Sequence, residues 1–127
     1  MKLDVFNHIL PEAYFARLRE IIPDKAMLAR YPLLPTLHDV EARFRMMDEF
    51  DDYRQVLSLA NPALEMLGGP EEAGALARLA NDGMAELCRR HPDRFPAFTA
   101  SLAMNDPDGA VEEARRDEHL AQADRPV

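Results

Sequence analysis

Hydrophobic residues recur along the chain with two different periods, which predicts alternating strands and helices. Short apolar runs predict three strands, at about 2–8, 53–59 and 95–102. Apolar residues at helical spacing predict four helices, at 11–22, from Asp39, at 70–90 and from Asp106. Because long helices separate the apolar strands, we expect parallel pairing with right-handed crossovers. The pattern therefore predicts an α/β chain of three strand–helix units.

Prolines and acidic residues mark the ends of the predicted helices. Pro11 suits the first turn of the first helix, and Pro23 stops that helix. Asp39 and Asp106 each precede a helical pattern and are predicted N-caps. The segment 23–36 carries three prolines, which predicts an irregular connection.

The apolar pattern fades near the end of the chain. After Arg116 few apolar residues remain, so we expect residues 117–127 to be a disordered tail. Residues 1–116 would then form the folded part, which is enough for one domain with a modest core.

Charge and cysteine content narrow the classes of function. Fifteen basic and 23 acidic residues give a net charge of −8, which argues against binding to nucleic acid or to an anionic membrane surface. No apolar run reaches membrane-spanning length. Cys88 is the only cysteine, lies on an apolar helix stripe and is interpreted as a small core residue. We expect a cytoplasmic protein without disulfides or signal peptide.

The first predicted strand carries the candidate chemistry. Strict alternation would place Asp4, Phe6 and His8 on one face. A carboxylate and an imidazole at the C-terminal end of a strand lie where a barrel enzyme could hold a metal. A single histidine at a strand end is more often packed or hydrogen-bonded, and zinc sites use about three protein ligands. Both interpretations stay open at this point.

Several segments, in order along the chain, resemble the amidohydrolase-related superfamily, and among its members the metal-dependent decarboxylases typified by aminocarboxymuconate semialdehyde decarboxylase. Residues 4–11 resemble the Asp-x-His-x-His-Ile-Leu-Pro motif of the first strand in that family. The further matching segments are 43–49, 55–58, 81–85, 93–104 and 108–116. The resemblance implies a TIM barrel of eight strands, of which this chain would supply the first three strand–helix units.

The resemblance also implies roles for particular residues. His8 matches the second histidine of the motif and would be a ligand of a divalent metal, zinc or manganese. Asp4 would orient a ligand or the strand. Phe6 stands where the family has its first histidine, which implies a reduced metal site or none. The remaining ligands, two histidines and an aspartate, would lie on later strands. Asn61 could touch a small carboxylated substrate, aromatic or dienoic, although Asn61-Pro62 could also simply shape a loop.

Three hypotheses follow for the chain as a whole. It is a member of a metal-dependent decarboxylase or hydrolase family, inactive as this chain alone. Alternatively, it is a non-catalytic α/β protein that forms homo-oligomers or completes its barrel with another chain, because an open parallel sheet has two unpaired edges. A third possibility is a premature end of the reading frame near Arg116.

Overall fold

The computed structural model describes residues 1–123. It contains three short strands: β1 (Lys2–Asp4), β2 (Tyr53–Leu57) and β3 (Ala97–Phe98). The five α-helices of this part of the chain are α1 (Glu12–Ile21), α2 (Lys25–Arg30), α3 (Val40–Met47), α4 (Pro70–Arg90) and α5 (Pro107–Ala123). Short 3-10 turns lie at Tyr31–Leu33, Pro35–Leu37 and Leu64–Met66.

The strands form one parallel sheet in the order β1-β2-β3. Lys2 pairs with Tyr53 and Asp4 with Gln55, while Val56 pairs with Ala97 on the other side of β2. Helices α1, α2 and α3 lie between β1 and β2 in the chain, and α4 lies between β2 and β3. The predicted arrangement of three parallel strand–helix units is therefore confirmed.

The pairing of β1 with β2 is interrupted by a bulge and then resumes. Ile9 forms a parallel bridge with Leu59, donating its N–H to the Ser58 carbonyl at 2.9 Å and accepting from Ala60 N at 3.0 Å. Five positions separate Asp4 from Ile9, whereas four separate their partners Gln55 and Leu59. The first strand therefore carries one extra residue, and side-chain alternation shifts to the other face within 5–8.

Helix boundaries follow the predicted signals in most places. The Asp39 carboxylate accepts from Ala42 N at 3.1 Å, and the Asp106 carboxylate accepts from Gly109 N at 3.2 Å, so both predicted caps are confirmed. The connection after Pro23 is more ordered than predicted, because Asp24 caps α2 by accepting from Ala26 N and Met27 N. The third strand is much shorter than 95–102.

The end of the chain also differs from the prediction. A disordered tail was expected over 117–127, but α5 continues as a regular helix through Ala123. Asp117, the first residue of the predicted tail, is 7% exposed, so the packed part of α5 extends beyond Arg116. The remaining four residues of the predicted tail lie outside the described residues.

Two apolar clusters form the core. One packs α1 against α4 around Tyr14, Leu18 and Leu76. The other lies between the sheet and helices α3 and α4, and its buried members are Ile9, Met47, Leu57, Met84 and Phe95. Helices therefore cover one face of the sheet.

The side chain of Cys88 packs against the apolar cluster that contains Met84 and Phe95, and burial raises the pKa of its thiol to about 11. The thiol stays protonated at neutral pH, which agrees with a packing role. No helix in the described part of the chain is long and apolar enough to cross a membrane.

Gly83 allows α4 to approach the start of α1 closely. A Cβ atom added to Gly83 would lie 2.5 Å from the Cβ of Pro11, whereas one added to Gly74 of the same helix would meet nothing within 4 Å. We expect Gly83→Ala to lower the free energy of unfolding by about 1–3 kcal/mol through overpacking. Gly74→Ala, the matched control, should raise it by about 0.5–1 kcal/mol. Chemical denaturation measures both, and equal effects would contradict the close approach.

Candidate functional site

The carboxylate of Asp4 lies on the helix-covered face of the sheet. It accepts from the Tyr53 hydroxyl at 2.7 Å, from Gln55 Nε2 at 3.4 Å and from the backbone N–H of Phe6 at 2.9 Å. The last contact is an Asx turn that starts the bulge after β1. Asp4 therefore fixes the direction in which the chain leaves the strand.

A buried guanidinium lies next to this carboxylate network. Arg43 of α3 is 3% exposed, and its Nη1 donates to Gln55 Oε1 at 2.7 Å and to Asn7 Oδ1 at 3.2 Å. Its Nε donates to the Thr36 carbonyl at 2.9 Å, and its Nη2 donates to the His8 carbonyl. These contacts tie α3 to the bulge, to β2 and to the 3-10 turn that precedes α3.

Burial lowers the pKa of Arg43 to about 10, against the opposing effects of Tyr53 and Asp4. The guanidinium therefore stays charged at neutral pH, and its several acceptors compensate for the loss of hydration. Its role was not predicted from the sequence. Its position in the sequence could have indicated burial. Arg43 falls three residues after Val40 and four before Met47, within the apolar stripe of its helix.

His8 lies on the other side of the sheet, and its side chain is exposed. Its Nδ1 is 3.0 Å from the hydroxyl of Ser58, which itself donates to the carbonyl of Asn7. The prediction that Asp4, Phe6 and His8 share one face is wrong for Asp4, because β1 ends there and the bulge reverses the alternation. It holds for Phe6 and His8, whose rings are in contact. The side chains of Asp4 and His8 therefore lie on opposite sides of the sheet.

Phe6 projects into solvent beside the imidazole. It is 83% exposed, and its ring meets that of His8 edge to face, with centroids 5.2 Å apart. An aromatic ring offers no lone pair to a metal, so this position adds no ligand to His8.

Asn61 follows β2 at the same end of the sheet as His8. Its side chain is exposed, its carbonyl accepts from the Tyr31 hydroxyl at 3.1 Å, and a cis peptide bond joins it to Pro62. The backbone contact fits the loop-shaping interpretation. Contact with a substrate stays a prediction.

The donor set does not by itself fit a metal ion. Within residues 1–123 no three side chains of His, Cys, Asp or Glu come together as a metal site. His38 stacks on Phe15 and His91 contacts Phe44, so both imidazoles pack against helix residues instead of joining His8. His8 offers one nitrogen, and any other ligands would have to come from elsewhere.

A second buried polar cluster joins α4 to α5. Asn81 donates to the Ser101 carbonyl at 2.9 Å and to Glu113 Oε1 at 3.1 Å, and it accepts from Ser101 N at 2.8 Å. Arg116 pairs with Glu113 at 2.5 Å and with Asp82 at 2.6 Å. Burial tends to raise the pKa of Glu113, but hydrogen bonds from Arg116 and Asn81 leave it lowered overall. These contacts support a packing role for Asn81 and Asp82.

Comparison with known proteins gives several gamma-resorcylate decarboxylases as relatives. The chain is 45% identical over 76 residues to a gamma-resorcylate decarboxylase of Rhodococcus jostii, covering 60% of this chain and 23% of the relative. It is 33% identical over 115 residues to the gamma-resorcylate decarboxylase of Polaromonas sp. JS666, covering 91% of this chain and 34% of the relative. The chain matches the N-terminal part of amidohydrolase-related decarboxylases. No family model matches it.

Solved structures extend the match to the fold of these decarboxylases. A dihydroxybenzoic acid decarboxylase from Polaromonas sp. JS666, with bound manganese and the inhibitor 2-nitroresorcinol, superposes with a TM-score of 0.73 at 33% identity. The match covers 94% of this chain and 35% of that one. A proposed amidohydrolase from Staphylococcus aureus, 22% identical over 95% of this chain and 34% of its own, shares the fold with a TM-score of 0.71.

The resemblance to the amidohydrolase-related superfamily and the partial TIM-barrel fold are thus confirmed. The family's divalent metal is confirmed by the manganese of the Polaromonas structure. The chain spans about a quarter to a third of the length of the relatives described here.

Arg43 should be essential for the stability of this region. We expect Arg43→Met to lower the free energy of unfolding by about 3 kcal/mol or more, because it leaves several buried acceptors without a donor. Arg45→Met, an exposed position on the same helix, should change it by less than about 0.5 kcal/mol. Denaturant titration of both variants tests this. A loss at Arg43 as small as that at Arg45 would contradict the assigned role.

Asp117 should make stability depend on pH. It is 7% exposed, neither carboxylate oxygen receives a hydrogen bond from the described residues, and the nearest cation is Arg116 Nη2 at 3.6 Å. Burial, followed by repulsion from Glu113, raises its pKa from 3.8 to about 6. The folded state therefore binds this proton more tightly than the unfolded state, and stability is lost as pH rises from about 4 to 6.

We expect Asp117→Asn to stabilise the protein at pH 7.5 by about 1–3 kcal/mol and to bring no comparable gain at pH 3.5. Glu118→Gln, an exposed neighbour on α5, is the control and should have little effect at either pH. Thermal unfolding at the two pH values gives the comparison. A gain of the same size at both pH values would show that ionisation of Asp117 is not the cause.

Proposed function

We propose that this chain forms the first three strand–helix units of a metal-dependent decarboxylase or hydrolase for small carboxylated aromatic substrates. The observation that supports this most is the exposed imidazole of His8 at the sheet end, in a chain whose relatives are dihydroxybenzoate decarboxylases. In TIM-barrel enzymes that end of the sheet carries the reacting groups. A cytoplasmic location remains a prediction from the single cysteine.

His8 would contribute one nitrogen ligand to a divalent metal. Asp4 would orient the end of the strand, since it contacts Tyr53, Gln55 and the backbone of the bulge. Asn61 would lie on the substrate side because it follows β2 at the same end of the sheet. The other metal ligands would come from residues beyond those described here, so we propose that the chain alone is inactive.

A second candidate function is supported by exposed apolar residues along one sheet edge. Leu3, Val5 and Phe6 are exposed in and just after β1, which is an edge strand. An edge of this kind can pair with another strand. We propose as the alternative that a second copy, or another chain, covers this edge and that the protein has no catalytic role.

One experiment addresses the metal site and the activity together. The purified chain, supplied with Mn²⁺ or Zn²⁺, should retain no stoichiometric metal after gel filtration and should release no CO₂ from 2,6-dihydroxybenzoate. Phe6→His should bind Zn²⁺ at least about tenfold more tightly, because two adjacent imidazoles can chelate the ion. The double variant Phe6→His/His8→Ala is the control and should lose this gain.

The outcomes separate the two candidates. Measurable turnover by the unmodified chain would contradict its proposed inactivity, and an unchanged affinity in Phe6→His would contradict the placement of His8. A solution mass of two or more copies, with no gain in metal affinity, would favour the alternative.

A further inference from the structure

The hydroxyl of Ser58 lies between the His8 ring and the backbone of Asn7. Ser58 directly follows β2, and its Oγ is in hydrogen-bond contact with the Asn7 carbonyl and 3.0 Å from His8 Nδ1. A serine hydroxyl has one proton to donate, and a carbonyl oxygen can only accept. The proton of Ser58 therefore points to Asn7.

This direction determines which nitrogen of His8 carries a proton. Since the hydroxyl proton is used, Ser58 Oγ can only accept from the ring, and Nδ1 must be the donor. A neutral imidazole carries one N–H, so Nε2 keeps its lone pair. The exposed side chain leaves that lone pair accessible from solvent.

The backbone around both residues holds this arrangement in place. Ile9 N donates to the Ser58 carbonyl at 2.9 Å, and Ala60 N donates to the Ile9 carbonyl at 3.0 Å. Arg43 Nη2 donates to the His8 carbonyl from the opposite side. The main chain on both sides of the Ser58–His8 contact is therefore fixed by hydrogen bonds independent of the two side chains.

We propose that Ser58 is a positioning residue that holds His8 in the Nδ1–H tautomer and keeps Nε2 as the free lone pair. The use of that lone pair by a divalent cation rests on the proposed function, whereas the tautomer does not. In water an unconstrained histidine favours the Nε2–H form, so Ser58 would select the less common tautomer.

The test is the tautomeric state of His8 in the ¹⁵N-labelled full chain, from long-range ¹H–¹⁵N spectra at a pH where the ring is neutral. We expect a pyrrole-type Nδ1 and a pyridine-type Nε2. Ser58→Ala should change the majority of His8 to the Nε2–H form, and Ser58→Thr, which retains the hydroxyl, should restore the original pattern. His91, which contacts Phe44, is the internal control and should not change.

A His8 that is mainly Nε2–H in the unmodified chain would overturn the proposal, and this measurement needs no variant. An unchanged tautomer in a folded Ser58→Ala variant would also overturn it. Addition of Zn²⁺ to the Phe6→His variant, which should bind the ion more tightly, tests the proposed function separately, because His8 Nε2 should then shift more than the nitrogens of His91. If the tautomer is as expected but Zn²⁺ leaves Nε2 unshifted, the positioning role stands and metal ligation by His8 fails.

Discussion

The structure around the strand ends depends on one buried charge. Arg43 is only 3% exposed, and its guanidinium would strongly destabilise the fold unless its donors were satisfied. Arg43 meets this requirement with acceptors from the segment before α3, from β2 and from the bulge after β1. The same contacts that compensate its desolvation also set the position of the His8 backbone.

The bulge gives neighbouring residues different surroundings. With one extra residue between Asp4 and Ile9, Ile9 returns to the helix-covered core, while His8 lies beside Ser58 on the side that the helices leave open. The carboxylate of Asp4 thus orients the chain, and the imidazole of His8 is left accessible to solvent. A regular strand would have placed both groups on one face and left Ile9 outside the core. The bulge is therefore as important to the site as the identity of His8.

Local signals in the sequence predicted the large elements well. The apolar stripe of α4, its proline start and its basic end define a long helix, and acidic caps mark α3 and α5. The family motif indicated the partial barrel architecture, and its assignment of His8 as a metal ligand stays a prediction. The bulge could not be predicted because Val5 and Ile9 are both apolar and fit either register. The polar contacts of Asn81, Glu113 and Arg116 between α4 and α5 could not be predicted either, because Asn81 and Glu113 are far apart in the chain and no local pattern reveals their contact.

The most direct test of this account is the exchange of the side-chain Nε–H of Arg43, which donates to the Thr36 carbonyl at 2.9 Å. In D₂O the account predicts that its ¹⁵N–¹H signal persists as long as those of core amides, while the exposed Arg45 signal disappears at once. Exchange of Arg43 as rapid as that of Arg45 would contradict a buried guanidinium and, with it, the proposed placement of His8.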